Sequence, residues 1–425
     1  MADTIFALSS GRPPAAISVI RVSGPQAHRA GTLIAGSLPE PRMAAVRELR
    51  HPVSGERLDQ ALVLRFDSPA SSTGENIVEF QCHGGRAIVD ALLEALAATD
   101  GLRQAQPGEF TRRAFENGRI DLTEAEGLAD LIEAETESRR KAALAVAEGG
   151  LREQIAMWQE RLLSFAARAE RAIDYDEDDE AFDPELLRDC AALAAELGEW
   201  LERPRAERLK DGVLVVVAGP PNAGKSSLIN AIVGEERAIV TDVPGTTRDH
   251  IEVPLALGGV PVRLTDTAGL RKTRDEVEAI GVARARRLVE AADVLIWLGE
   301  PSQAPAHPRT VKVHAKADIP GREEIPESSV AVSARTGEGL GTLMSGMERL
   351  ARAVLPAEGA VALNRRQAAL LAEAHAALAA AEDSREIVLL AENLRAARYA
   401  FDRLTGRAGV EDVLDALFGR FCLGK

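Results

Sequence analysis

The sequence predicts a mixed α/β and α fold, in which a parallel α/β domain is inserted into a helical domain and an α+β domain precedes both. Two observations support this prediction. Segments rich in Ala, Leu, Glu and Arg at helical spacing flank a central stretch on both sides. Within that stretch, short apolar runs alternate with helical ones, which is typical of a parallel sheet. We therefore expect four segments, 1–117, 118–209, 210–355 and 356–425, of which the second and fourth pack together as one discontinuous helical domain.

The first two segments differ in pattern. Strands are predicted in AISVIRVSG, DQALVLRFDSP and NIVEFQCHGG, and a helix is predicted in RAIVDALLEALAATDG. From Leu122 to Leu209 the pattern is that of long helices, interrupted mainly by the acidic run DYDEDDEAFDPE, which we interpret as a solvated loop. An α+β domain followed by helices is therefore expected.

The inserted segment contains five strand-like runs among its helical patterns. They are VLVVVAG, PVRLTDTAG, DVLIWLGE, VKVHAK and SSVAVSA. After NRRQAALLAEAHAALAAAE the helical pattern returns and continues to the last residue. The inserted segment is therefore expected to form a sheet of its own, apart from that of the N-terminal domain.

Composition and charge narrow the class of protein. The chain has 425 residues, 28% of them charged, and a formal net charge of −15. Such a chain repels phosphate backbones, so contact with RNA would need a local basic patch or a partner's surface. Three dispersed cysteines without a C-x-x-C pair argue against a disulfide framework and a zinc site. Because we find neither a basic leader nor an apolar run of roughly 18 residues, we expect a cytoplasmic protein with no membrane contact.

A nucleotide-binding motif opens the inserted segment. The run from Gly219 to Ser226 fits G-x-x-x-x-G-K-[ST] between a predicted strand and a predicted helix. In that context backbone N–H groups surround phosphates at the helix N-terminus, Lys225 reaches the outer phosphates, and the Ser226 hydroxyl binds Mg²⁺. Asp266 is placed to hold the same metal through water, and Gly269 can donate its N–H to a terminal phosphate. The sequence therefore predicts a nucleoside triphosphate site.

Further loops complete the predicted nucleotide site. The run VTDVPGTTRDH combines the Pro-Gly pair of a mobile loop with hydroxyls that a third phosphate can order, as in a switch. AKAD and SART stand where a guanine-specific GTPase places its base-reading loops. The residues expected to contact GTP or GDP are Asn222, Ala223, Gly224, Lys225, Ser226, Ser227, Thr241, Asp242, Val243, Pro244, Gly245, Thr246, Thr247, Asp266, Thr267, Ala268, Gly269, Lys316, Asp318, Ser333, Ala334 and Arg335.

Base selection is predicted to favour guanine. Asp318 can accept from both N–H donors on one edge of guanine, a pair that adenine lacks. Ala315 replaces the asparagine expected at the start of the first base-reading loop, which removes one base contact. We therefore expect GTP to be preferred to ATP, with guanine affinity reduced by about tenfold or less.

Catalytic groups are missing from this set. Phosphoryl transfer needs a group that orients water and a cation that neutralises the developing charge. Leu270, which follows the DTAG run, cannot orient water, and we find no obvious arginine finger. An ion, a loop or a second subunit must therefore supply both functions.

These motifs and others along the chain together resemble the MnmE (TrmE) family of tRNA-modification GTPases. The resemblance rests on GPPNAGKSS, VTDVPGTTRD, DTAGLR with DEVEAIGVARA, the N-terminal runs VIRVSG, GENIVEFQCHGG and PGEFTRRAFENGRIDLTEAEGLADLI, and the terminal FCLGK. It covers essentially the whole chain. The N-terminal runs and the final Cys-x-Gly-Lys distinguish this family from other GTPases.

The resemblance implies the missing catalytic parts. It places K⁺ where an arginine finger would stand, and it implies a homodimer in which Glu278 helps to position water when two GTPase domains meet. Cys422 matches a functionally important cysteine of the family, so the expected catalytic set is Lys225, Glu278 and Cys422. The implied K⁺ ligands are Asn222, Thr241, Val243 and Thr246, and the implied Mg²⁺ ligands are Ser226 and Thr247.

The resemblance also implies a second ligand and two partners. The N-terminal domain of the family is similar to tetrahydrofolate-binding domains, and the folate-contacting positions fall on Arg21, Glu79, Arg119 and Lys425. The implied ligand is 5-formyltetrahydrofolate or a related reduced folate. With the flavoprotein MnmG, the family adds an aminomethyl-type group, such as carboxymethylaminomethyl, to C5 of the wobble uridine of certain tRNAs. One pocket built from these four residues requires the C-terminal tail to reach an N-terminal domain, in the same protomer or in its partner.

Other interpretations remain open on the residues alone. The chain can be an RNA-binding GTPase that checks ribosome assembly, or a dynamin-like assembly protein. Arg21 and Glu79 can be a surface ion pair, the more common outcome for one such pair. His83 can be a turn residue, and Cys422 can be a thiol in a fraying tail.

Overall fold

The computed structural model describes residues 3–174, 184–235, 238–240, 252–266, 278–382, 384, 386–421 and 424. The acidic run near residue 180 lies mainly outside these residues. By internal packing the chain divides into two units, one of residues 1–129 and 402–425 and the other of residues 130–401. The predicted boundaries of the four segments stay a prediction.

The elements follow the chain in this order. The first are β1 (Thr4–Leu8), β2 (Ile17–Ser23), α1 (Ala27–Ala35), β3 (Ala44–Arg50), β4 (Arg57–Phe66), β5 (Ile77–His83), α2 (Arg86–Ala97), β6 (Leu102–Gln104), α3 (Glu109–Glu116) and α4 (Leu122–Ile132). Next come α5 (Glu137–Ala147), α6 (Gly150–Asp174), α7 (Pro184–Glu202) and α8 (Glu207–Asp211). The inserted segment contains β7 (Val213–Ala218), α9 (Lys225–Val233), β8 (Ala238–Val240), β9 (Glu252–Leu257), β10 (Val260–Asp266), α10 (Glu278–Ala291), β11 (Val294–Trp297), β12 (Thr310–Ala315), β13 (Ser329–Val332) and α11 (Leu340–Arg352). The last are α12 (Arg365–Glu382), α13 (Ile387–Thr405) and α14 (Glu411–Phe418).

The first unit contains a sheet in the order β3-β4-β5-β2-β1-β6, in which β1 and β6 are parallel and the other pairs are antiparallel. Side chains alternate across it: Val78, Phe80 and Cys82 of β5 are buried against α1 and α2, whereas Glu79 and Gln81 point to the opposite face. The strands and helix predicted here are confirmed. The prediction missed β1, β3 and β6; β3 is half-exposed and its sequence AAVRELR is rich in helix-forming residues.

The end of the chain packs in this same unit. Leu414, Phe418 and Phe421 form an apolar cluster with Leu122 and Ala125. The last described residue, Gly424, is buried at a φ of +93°, and a Cβ there would lie 2.0 Å from the carbonyl oxygen of Leu8. Only glycine allows this approach of two backbones. Gly424 therefore lies against the end of β1.

The second unit contains a sheet in the order β13-β12-β11-β7-β10-β9-β8. The strands from β13 to β10 are parallel, as predicted, but β9 is antiparallel to β10, and β8 is antiparallel to β9. A two-residue turn at Gly258 and Gly259, with φ of +55° and +82°, joins β9 to β10. Positive φ at both central residues is what a type I′ turn requires, and such a turn reverses the chain into a tight hairpin, which explains the antiparallel edge.

The helices on either side of the inserted segment pack together, as the sequence predicts. Within the second unit α7 lies along α12. Trp158 of α6 is fully buried there between Trp200 of α7 and Phe401 of α13, at ring-centroid distances of 5.3 and 6.0 Å. The discontinuous helical part thus has an aromatic core of its own.

Candidate functional site

The predicted phosphate loop connects β7 to α9. Its turn uses positive φ at Asn222 (+60°) and Gly224 (+98°), and Gly224 is the N-cap of α9. These two left-handed residues, separated by Ala223, help to turn backbone N–H groups toward one point in front of the helix N-terminus, where the helix dipole also favours an anion. The local sequence therefore forms the phosphate-binding geometry that the motif predicts.

Lys225 is the first residue of α9, and its side chain turns back into this loop. It is 7% exposed, and its Nζ donates to the carbonyl oxygens of Gly219 at 3.0 Å and Pro220 at 2.9 Å. A buried ammonium is stable only with such acceptors, because it has given up its hydration. Its cationic end is held within the loop that would surround the phosphates.

Ser226 and Asp266 meet at the carboxyl end of the sheet. Because β10 is parallel to β7, with Asp266 beside Val217, the end of β10 lies next to the phosphate loop. The Ser226 hydroxyl donates to Asp266 Oδ2 at 2.6 Å. Hydroxyl and carboxylate oxygens are the ligands that Mg²⁺ prefers, so this pair fits the predicted metal.

A cavity at the predicted base site, called the base pocket below, lies beside the phosphate loop at the ends of β12 and β13. A cavity of about 390 Å³ is lined by the predicted base-reading residues and by apolar neighbours, namely Gly224, Ser227, Leu228, Ala315, Lys316, Asp318, Ile319, Val332, Ala334 and Arg335. Lys316, at a φ of +60°, extends across it and donates from Nζ to the carbonyl oxygen of Asn222 at 2.7 Å. The phosphate loop and the first base-reading loop are therefore joined directly.

The carboxylate of Asp318 is held from two sides. Ser333 Oγ donates to Oδ1 at 2.7 Å, and Arg335 Nε donates to Oδ2 at 2.8 Å. These hydrogen bonds, first that of Ser333 and then that of Arg335, lower the pKa of Asp318. The group thus stays an ionised acceptor, which is the form that guanine selection requires.

Several residues that the sequence singles out, in the nucleotide site and elsewhere, lie outside the described residues. This holds for Leu270, for Cys422 and Lys425 at the end of the chain, and for both predicted switch runs, Thr241, Asp242, Val243, Pro244, Gly245, Thr246 and Thr247 in the first and Thr267, Ala268 and Gly269 in the second. Glu278 is the first residue of α10. The described structure brings together the phosphate loop, Asp266 and the two base-reading loops.

Two residues of the predicted folate site pair with each other. Arg21 Nε donates to Glu79 Oε1 at 2.8 Å across β2 and β5, where the two residues are directly opposite. The side chains are 25% and 15% exposed, and the Arg21 guanidinium lies 5.6 Å from the ring centroid of Phe110. Arg119 is exposed, and the aliphatic part of its side chain lies beside Gly74. Arg21 and Glu79 thus form a partly buried ion pair on the sheet face against which Phe110 of α3 lies.

Cys82 and His83, at the end of β5, have structural partners. Burial raises the pKa of the Cys82 thiol to about 11, and the thiol donates to the carbonyl oxygen of Ser18 at 3.5 Å. His83 Nδ1 lies 2.8 Å from Asp59 Oδ1, and the His83 backbone N–H donates to the other carboxylate oxygen. Both residues therefore have hydrogen-bond partners within the protein.

One buried arginine, Arg113, was not predicted from the sequence to have a structural role. Arg113 is 8% exposed and donates to the carboxylates of Asp3, Glu75 and Glu109. Of these only Glu109, four residues away on the same helix, follows a spacing that a sequence shows. The other two are 110 and 38 residues distant, so no local pattern points to them.

Family comparisons agree with this geometry. A model described as the MnmE helical domain matches residues 122–422, and one described as the GTP-binding protein TrmE N-terminus matches residues 4–119. The chain belongs to the MnmE family of tRNA modification GTPases. Similar MnmE relatives include the tRNA modification GTPase MnmE of Erythrobacter litoralis, 51% identical with full coverage of both chains, and that of Rhizorhabdus wittichii, 52% identical over all of this chain and 97% of the relative.

Similarity to solved structures is weaker. The G domain of the T. maritima FeoB iron transporter covers 33% of this chain and 98% of its own at 24% identity, but its TM-score of 0.25 supports no inference. Among the described residues of this MnmE family member, no helix combines the length and apolar character needed to cross a bilayer.

Proposed function

We propose that this chain is a K⁺-activated GTP hydrolase that acts with the flavoprotein MnmG in the cytoplasm to modify C5 of the wobble uridine of certain tRNAs. The observation that carries the proposal is the direct link between phosphate loop and base pocket. Lys316 joins them through its hydrogen bond to Asn222, and the carboxylate of Asp318 accepts hydrogen bonds from Ser333 and Arg335. A nucleotide with a guanine base and several phosphates would fill both the base pocket and the phosphate loop.

In this proposal Lys225 holds the outer phosphates, and Mg²⁺ is bound by Ser226 and Thr247, with Asp266 acting through water. The described pair of Ser226 and Asp266 supports this metal. Potassium would be held by Asn222 with Thr241, Val243 and Thr246, and Glu278 would position water in a homodimer. The bound K⁺ would supply positive charge at the phosphates that are being cleaved.

GTP turnover is expected to be higher in K⁺ than in Na⁺ at equal ionic strength, by about tenfold or more, because loss of one charge-stabilising contact typically costs about a hundredfold to a thousandfold in rate. Asn222→Ala should remove most of this difference. Asn230→Ala, in the exposed face of the following helix, is the matched control and should keep it. Phosphate release in the two salts measures this, and equal rates for the unchanged protein would contradict the proposal.

The N-terminal pair supports a second part of the proposal, a binding site for 5-formyltetrahydrofolate. Glu79 can accept from the N–H donors of the pterin, and Arg21, Arg119 and Lys425 can bind its glutamate carboxylates. Phe110 beside Arg21 offers an apolar surface for a flat ring. Gly424, the residue before Lys425, lies against the end of β1, and Ala7 of the same strand is directly opposite Arg21.

Arg21→Ala is expected to weaken binding of 5-formyltetrahydrofolate by about ten to a hundredfold, since a hydrogen bond to a charged group contributes about 1.5–3 kcal/mol. GTP turnover should stay unchanged. Calorimetry with the folate measures the first effect, and Arg29→Ala, an exposed arginine of α1, serves as the control. Equal folate affinity in Arg21→Ala and the unchanged protein would refute this site.

A further inference from the structure

Ala315 sets one side of the base pocket. It is the last residue of β12 and lines the same cavity as Asp318. Between them Lys316 is fixed by its bond to the Asn222 carbonyl oxygen, and its Cε would lie 3.6 Å from a Cβ on Gly224. The extended stem of Lys316 therefore forms a platform, with Ala315 before it and Asp318 after it along the chain.

The two polar edges of guanine differ in chemistry. One edge carries two N–H donors, and the other carries the acceptors N7 and O6. Asp318 matches the donor edge, because Ser333 and Arg335 occupy one lone pair on each oxygen and leave others free. A guanine stacked on the Lys316 stem with its donor edge toward Asp318 turns its acceptor edge toward the other side of the platform.

Apart from Asp318, Lys316, Arg335 and the hydroxyl of Ser227, the side chains that line the cavity are apolar. Ala315 contributes a methyl group, and Leu228 and Val332, which also line the cavity, contribute aliphatic side chains. The ammonium of Lys316 is directed away to the phosphate loop, and Arg335 is directed to Asp318. A residue with a side-chain amide at position 315 would offer a donor here, and alanine offers none.

We propose that, because position 315 is alanine, N7 of the purine does not contribute to nucleotide affinity at this site. Guanine nucleotides altered at ring position 7 therefore bind as well as the parent nucleotide. The inference rests on the proposed GTP binding and deepens it, because it assigns guanine selection to the edge that faces Asp318. Nucleotides with a carbon at position 7 are then accepted as ligands.

The test compares GDP with 7-deaza-GDP, in which a C–H replaces N7, by calorimetry on the full chain. For the unchanged protein the two dissociation constants should agree within about twofold. Ala315→Asn should bind GDP about fivefold more tightly, in line with one added neutral hydrogen bond, and should discriminate against 7-deaza-GDP by about the same factor. Ala315→Ser, with a shorter donor, tests the same position if the asparagine variant folds poorly.

Inosine diphosphate separates this inference from the proposed function. It lacks the exocyclic amino group, so it should bind about tenfold more weakly than GDP if Asp318 selects the donor edge. Failure of every guanine nucleotide to bind would overturn the proposed function itself. Normal GDP binding with a loss of fivefold or more for 7-deaza-GDP in the unchanged protein would overturn only the role of Ala315.

Discussion

Lys225→Ala is expected to lower GTP affinity by roughly a hundredfold to ten-thousandfold and to abolish measurable turnover. In the described structure this ammonium is almost fully buried and bonds two loop carbonyl oxygens. With GTP bound, it would exchange those partners for phosphate oxygens. Two charge-assisted hydrogen bonds contribute about 1.5–3 kcal/mol each, and every 1.4 kcal/mol is tenfold in affinity.

A matched lysine control is available in the same unit. Lys210 is 46% exposed and pairs with Asp130 and Glu133, away from the predicted nucleotide site. Lys210→Ala should leave GTP affinity unchanged. Fluorescent GTP titration of both variants measures the difference. A Lys225→Ala protein that binds GTP within tenfold of the unchanged protein would show that the phosphate loop does not hold the nucleotide as proposed.

Trp158→Ala is expected to lower the free energy of unfolding of the second unit by about 3–5 kcal/mol, which is the usual cost of deleting a buried aromatic side chain. The indole is fully buried, packs edge-on to Trp200 at 5.3 Å and stacks on Phe401 at 6.0 Å. Its Nε1 also donates to Glu196 Oε1 at 2.8 Å. The alanine variant leaves a cavity and removes one partner of that carboxylate.

Leu163→Ala on the same helix is the control for this prediction. Leu163 is 58% exposed, so its truncation should change the free energy of unfolding by less than about 0.5 kcal/mol. Urea unfolding followed by far-ultraviolet circular dichroism compares the two variants, because this signal does not depend on the deleted indole. Equal shifts for both substitutions would mean that the cluster of Trp158, Trp200 and Phe401 does not stabilise the helical part.

We expect Lys225→Ala to change mainly nucleotide binding and Trp158→Ala to change mainly stability. Lys225 begins α9, and the geometry of the preceding loop comes from that loop's own glycines and from the start of the helix. Loss of the Lys225 side chain should therefore change ligand binding more than folding. Trp158 lies in the second unit's helical part, where α6, α7 and α13 meet, and none of the predicted GTP contacts is in these helices. Its loss should therefore reduce the folded population while native molecules keep their affinity for GTP.

The backbone form of the predicted phosphate loop followed from the sequence because its parts are local. The run from Gly219 to Ser226 contains the turn, the lysine and the helix start within eight consecutive residues, so short-range sterics determine its form. Apolar runs of the inserted segment predicted the parallel strands for the same reason. The antiparallel β9 was missed, although two glycines between apolar runs are a hairpin signal.

Tertiary structure alone decided which distant groups meet. Lys316 bonds Asn222 across 94 residues, Arg113 bonds Asp3 across 110, and Gly424 lies against Leu8 from the other end of the chain. The sequence placed Asp318 in a base-reading loop, but only the fold showed that Ser333 and Arg335 hold its carboxylate. Local propensity and periodicity depend on neighbours within a few turns, whereas these contacts depend on how whole strands and helices pack, which no short-range pattern encodes.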